Sequence, residues 1–164
     1  MKSSSVRIAT IVCLVVLLFG VQATIQSMEM QSGQQSASAR KVITPEGYIP
    51  TGSPFSPGIQ VGDTLYVAGH LGRHPETRKI VDGGVEAETR QAMAGIQKVL
   101  EAAGMGFEDV ASVTVYITDI GDFSAFNAVY GTYFPNDAPA RATVQVAALS
   151  AGAKIELQMI AVKP

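Results

Sequence analysis

Apolar and polar residues change their spacing several times along the 164-residue chain, and each change marks an element. Ile59-Gln60-Val61 and Thr64 to Ala68 flank Gly62-Asp63, a pair suited to a tight turn, so this stretch predicts a β-hairpin. Arg73 to Lys79, which contains Pro75, predicts a loop, and Ile80-Val81 a short strand closed by Gly83-Gly84. Met93, Ile96, Leu100 and Ala103 recur at spacings of three, four and three. That places them on one face of a helix over 85–103, with Gly104 as its stop. Ala111, Val113, Val115 and Ile117 then alternate with Ser112, Thr114, Tyr116 and Thr118, the pattern of a half-buried strand. Asp122 predicts the N-cap of a second helix reaching about Phe134 and carrying Phe126, Val129, Tyr130 and Tyr133. Asn136 to Pro139 turns the chain, and Ala142–Val146 and Lys154–Val162 predict two closing strands.

The resulting order, β-β-(β)-α-β-α-β-β, implies an α+β domain with both helices on one face of a sheet. In the last strand Ile155, Leu157, Met159 and Ala161 lie on one side, and Ile160 and Val162 share the other with Glu156 and Gln158. One helix layer covers one face only, so the second face predicts an interface between copies.

Before this domain the chain reads differently. Lys2 and Arg7 precede an apolar run from Ile8 to Val21, and Val21-Gln22-Ala23 offers a small-residue cleavage site, so residues 1–23 are expected to be a secretory signal peptide. The run is short for a membrane span, which takes roughly 20 residues; export with no stable membrane association after cleavage is the expectation. Thr24 to Ala39 holds eight Gln or Ser in 16 residues without a hydrophobic period, and 24–40 reads as a flexible tether to a domain over 41–164.

Composition narrows the chemistry. Hydrophobic residues make up 47% of the chain and charged ones 16%, which excludes disorder of the whole. Loss of residues 1–23 would leave 10 basic against 14 acidic residues, a net charge of −4, and would remove the sole cysteine, Cys13. An acidic chain lacks the electrostatic footprint of a nucleic-acid binder, so no nucleic-acid partner is expected. A thiol-free mature domain suits an oxidising compartment, periplasmic or extracellular. No phosphate-binding glycine loop and no GxSxG elbow occur. His70 and His74 have helical i, i+4 spacing, but the surrounding glycines and Pro75 make a strand end and loop of that segment, against a metal site.

The sharpest candidates are Arg141, which opens a strand right after Pro139-Ala140, and Glu156 on the next strand in sequence. A guanidinium fixed at a strand start offers a fork for a carboxylate. The two residues are expected either to face one pocket or to form a surface ion pair.

Four stretches carry a resemblance: SPFSPGIQVGDTLYVAGHLG, TRQAMAGIQKVLEAAG, VTVYITDIGDFSAFNAVYGTYF and PARATVQVAALSAGAKIELQMIAV. Over nearly all of 41–164 the chain resembles the RidA/YjgF family of imine/enamine deaminases, also described as endoribonuclease L-PSP. The resemblance implies a chorismate-mutase-like α+β subunit in a homotrimeric barrel, with sites in clefts between subunits. It assigns the carboxylate-binding arginine to Arg141, the glutamate beside the hydrolytic water to Glu156, and further substrate-binding positions to Asn127 and Gly69. Three positions depart from the family pattern: Phe55 replaces a pocket tyrosine, Ala68 a serine, and Thr143 a cysteine. Each lost hydroxyl is worth about 1–3 kcal/mol of orientation. The implied reaction converts a 2-imino acid to a 2-oxo acid and ammonia. Because an imine is already electrophilic, neither a metal nor an organic cofactor is expected. A non-catalytic, ligand-binding or stress-protective role is the alternative, and ribonuclease activity fits the charge least.

Overall fold

The computed structural model describes residues 39–48, 52 and 54–163; the expected leader and almost all of the expected tether lie outside the described residues. Six strands and two α-helices follow in the order β1 (Lys41–Ile43), β2 (Gly58–Val61), β3 (Thr64–Leu71), α1 (Gly84–Ala102), β4 (Val110–Ile117), α2 (Phe123–Tyr130), β5 (Ala140–Gln145) and β6 (Ile155–Val162). One mixed sheet holds the strands in the order β1-β2-β3-β6-β4-β5. All neighbours are antiparallel except β4 and β5. The chain between these two includes α2, and a crossover of that kind is what parallel pairing requires.

Alternation in the strands is turned into a core by the two helices. Leu65, Val67, Val113, Val115, Ile117, Ile155, Leu157, Met159 and Ala161 are buried in one cluster with Met93, Ile96 and Leu100 of α1 and Phe126 of α2. The opposite face is bare and mixed: Tyr66, Val144 and Val162 stand 49%, 45% and 41% exposed among residues such as Thr64, Thr114 and Gln158. The hairpin, both helices and the two closing strands thus lie where their periodicity predicts, within a few residues at each end.

Four details differ from expectation. Ile80 makes only an isolated bridge to Arg73, and the extra strand is β1, a three-residue segment too short to show alternation. Helix α2 ends at Tyr130 and is extended by a single 3-10 turn, Gly131–Tyr133. Asp122 occupies the N-cap position, yet its side chain caps nothing; its Oδ2 accepts from Lys154 Nζ at 2.8 Å. Asp119 takes over the local role, accepting from the Gly121 N–H at 2.8 Å. Gly104 does stop α1, at a φ of 68° that an L side chain rarely adopts, while the Met105 N–H returns to the Leu100 carbonyl.

Candidate active site

Arg141 lies on β5, an edge strand, in register with Val113 of β4. Paired residues share a face, so Arg141 emerges on the helix-covered side together with Thr143 and Gln145. There its guanidinium sits over three rings of α2: the Cζ is 5.6 Å from the Phe123 centroid, 5.4 Å from Phe126 and 4.7 Å from Tyr130. Stacking of this kind holds the cation in place for about 0.5–1 kcal/mol per exposed contact and leaves its in-plane donors free. Among the described residues no carboxylate pairs with Arg141. Thr143 Oγ1 and the Tyr130 hydroxyl are buried without a hydrogen-bond partner among the described residues. Asn127, half-buried on α2, occupies the turn between Phe126 and Tyr130.

A second set of candidates meets elsewhere. β3 runs four residues beyond its last pairing with β2, Gly58↔Val67; the Ala68 N–H still reaches the Pro57 carbonyl at 2.9 Å, so residues 69–71 have an open edge on that side. Along this edge lies a cleft of about 660 Å³ whose walls include Phe55, Ala68, Gly69, His70 and Glu156. A bulge at Ala68-Gly69 shifts the register against β6, from Val67↔Met159 to His70↔Leu157. The shift turns His70 inward against α1, where a Cβ on Gly95 would come within 2.8 Å of its Cδ2. His70 Nδ1 is 2.8 Å from the Ala68 carbonyl, and burial lowers its pKa below the usual 6.5 despite that bond. Gly69 faces Glu156: a Cβ there would overlap Oε1 and approach Cδ to 2.9 Å. Glycine is therefore what lets the carboxylate lie across the bulge. Phe55 is 57% exposed at the cleft wall.

The expectation that Arg141 and Glu156 face one pocket fails within one chain. Consecutive in sequence, β5 and β6 are not neighbours in the sheet, because β4 separates them. Glu156 is in register with Tyr116, whereas Arg141 is in register with Val113, an odd number of residues away on β4. The two side chains consequently leave opposite faces. A surface ion pair between them is excluded by the same geometry. Phe55, Gly69 and Glu156 are brought together; Arg141 and Thr143 form a separate group beside the helix carrying Asn127.

Sequence reasoning missed two residues that shape these groups. Glu88 sits in the apolar stripe of α1, three residues after Val85 and four before Ala92, and is 3% exposed. Its Oε2 accepts from the Lys154 N–H at 2.7 Å, fixing the chain just before β6. Burial raises the pKa of this carboxylate, and bonds from the backbone at Lys154 and Ile155 oppose the rise. A lone Glu inside a helical apolar stripe was the available signal. Tyr130 was legible only as core. Burial raises its pKa, and the nearby Arg141 charge partly offsets that. His74, by contrast, is exposed, and its Nδ1 accepts from the Glu76 and Thr77 N–H groups at 3.3 and 3.4 Å. Among the described residues no group of three or more His, Cys, Asp or Glu converges.

A family model described as endoribonuclease L-PSP matches residues 48–163. The fold superimposes with a TM-score of 0.71 on RidA from the Antarctic bacterium Psychrobacter sp. PAMC 21119, at 34% identity over 75% of this chain and 99% of that one. The chain belongs to the RidA/YjgF family. A family member from Mus musculus, 2-iminobutanoate/2-iminopropanoate deaminase, is 40% identical over 128 residues, which cover 78% of this chain and 95% of the relative. TdcF of E. coli, in a crystal structure with bound serine, has a TM-score of 0.71 at 30% identity over 76% and 99% of the two chains.

Proposed function

We propose that this protein hydrolyses 2-imino acids to 2-oxo acids and ammonia. The observation that carries the reading is the Arg141 guanidinium, stacked on three rings and, among the described residues, without a carboxylate of its own. It is a fixed fork waiting for an anion. The deaminase relative at 40% identity names the chemistry.

In this mechanism Arg141 takes the substrate carboxylate, with Thr143 Oγ1 and Asn127 beside it. Water, oriented by the Glu156 carboxylate over Gly69, adds to the imine carbon while a proton passes to the nitrogen. The resulting carbinolamine expels ammonia and closes the carbonyl. Since Arg141 and Glu156 leave opposite faces of one sheet, the reaction needs Arg141 of one copy and Glu156 of another. The bare, part-apolar face of the sheet, with Tyr66, Val144 and Val162, supports assembly of copies into a trimer. Export follows from the leader read in the sequence, which makes the mature protein a periplasmic or secreted member of the family.

The test is direct. Freshly generated short-chain 2-imino acids are mixed with the protein and 2-oxo acid formation is followed against spontaneous hydrolysis. Turnover by the wild type that is lost in Arg141→Ala supports the reading. Equal rates with and without protein would leave a binding protein in its place.

A further inference from the structure

The cleft beside Glu156 is larger than the substrate named for the relatives. A volume near 660 Å³ suits a drug-sized ligand, whereas a three- or four-carbon imino acid has only six or seven non-hydrogen atoms. What lines the remaining space can be read along α1. Gly72 lies hard against Glu88, Gly95 against His70, and Val99 against Gly58, so the helix runs antiparallel to the cleft wall, with its early turns near the end of β3. At that end stand Gln91, Arg73, Arg78 and Ser150, all cleft residues.

This end is built rather than merely exposed. Arg73 Nη1 donates to the Arg78 carbonyl at 3.0 Å and Nη2 to Ser150 Oγ at 3.1 Å. Two of its five N–H donors are thus used to fix the guanidinium, and three stay free among the described residues. Arg78 itself is held at a φ of 62°, in the left-handed region that favours glycine, with its N–H donating to the His74 carbonyl at 2.9 Å. A long charged side chain at a position where glycine costs nothing is strain that some gain must offset. The conformation aims the Arg78 carbonyl at Arg73, whose guanidinium it fixes, and Arg78 lines the same end of the cleft.

We propose that the Arg73–Arg78 end of the cleft receives a second carboxylate on the substrate, so that dicarboxylic 2-imino acids are the preferred class. The proposal rests on the deaminase reading above. Glu46 and Glu156 also line the cleft and offset part of its positive charge, which suits a carboxylate better than a doubly charged phosphate.

The experiment compares kcat/KM for two freshly generated 2-imino acids of similar length, one ending in carboxylate and one in methyl. The wild type is expected to favour the dicarboxylic substrate about tenfold or more, the value of one good charge-assisted hydrogen bond. Arg73→Gln should lower that ratio about tenfold. Because Arg73 also braces the 73–78 turn, Arg78→Gly serves as the second variant. It removes one guanidinium while relieving the positive φ, so the ratio should fall severalfold in a protein at least as stable as the wild type. A wild-type ratio near one, or variants that slow both substrates alike, would overturn the proposal. If no imine is hydrolysed, calorimetry with the matching 2-oxo acids decides. Tighter dicarboxylate binding that weakens in Arg73→Gln keeps the subsite and discards the deaminase; equal binding of both acids discards the subsite.

Discussion

Gly69→Ala separates the proposed catalytic role of Glu156 from the stability of the fold. Gly69 is not among the positive-φ glycines, so alanine meets no backbone barrier there. Its methyl would meet the Glu156 carboxylate, with Cδ at 2.9 Å where ordinary contact begins near 3.4 Å. Cδ must therefore retreat by about half an ångström and Oε1 farther. The atoms displaced are the far end of a flexible side chain, so the cost in stability is that of one shifted rotamer, about 0.5–1.5 kcal/mol. The cost in rate is larger. A catalytic group misplaced by about 1 Å loses on the order of 100-fold, equivalent to about 2.7 kcal/mol of barrier. Chemical denaturation should accordingly show a modest shift in midpoint, while steady-state assay shows kcat down about 100-fold with KM within a fewfold of the wild type. Adding Glu156→Gln to Gly69→Ala should cost little more than either change alone, since both act through one carboxylate. Full kcat in Gly69→Ala, or additive losses in the double variant, would refute the assignment of Glu156 to the water.

Arg141→Lys keeps a positive charge but loses the planar fork and its stacking, and kcat/KM for imine hydrolysis should fall at least tenfold with the mass by light scattering equal to that of the wild type. Tyr130→Phe removes a buried hydroxyl that makes no well-formed hydrogen bond among the described residues and keeps the ring under Arg141, so the unfolding free energy from denaturant titration should hold or rise by up to about 1 kcal/mol. His70 has a folded pKa below 6.5, so the unfolded chain binds the proton more tightly and stability falls as pH drops below 6.5. His70→Gln should flatten that slope in urea titrations run between pH 7 and 5, and an unchanged slope would assign it elsewhere. Intact-mass analysis of the exported protein should give a chain beginning near Thr24.

Periodicity was enough to locate the hairpin, both helices and the closing strands, because each buries one face and leaves the other in solvent. Three residues such as Lys41–Ile43 carry no period, so β1 was invisible, and Ile80, apolar between loops, stood in for it. Sheet order was the deeper gap. Nothing in the local pattern of β5 and β6 reveals that β4 lies between them, and this hid the separation of Arg141 from Glu156. The bulge at Ala68-Gly69 was equally hidden, although it decides that His70 points inward. Resemblance to relatives supplied the candidate residues; only the register shows how they are distributed over the two faces.

That distribution has a genetic consequence. In the proposed shared site, chains carrying Arg141→Ala would lack one half of the machinery and chains carrying Glu156→Gln the other, so neither alone should form a competent site. In a three-membered ring joined head to tail, every mixed assembly of the two contains one junction where an intact Arg141 meets an intact Glu156. Random mixing in equal amounts should then restore about a quarter of wild-type activity by complementation. Two defective alleles expressed together would rescue each other, and a single defective allele expressed beside the wild type would silence only its own junctions.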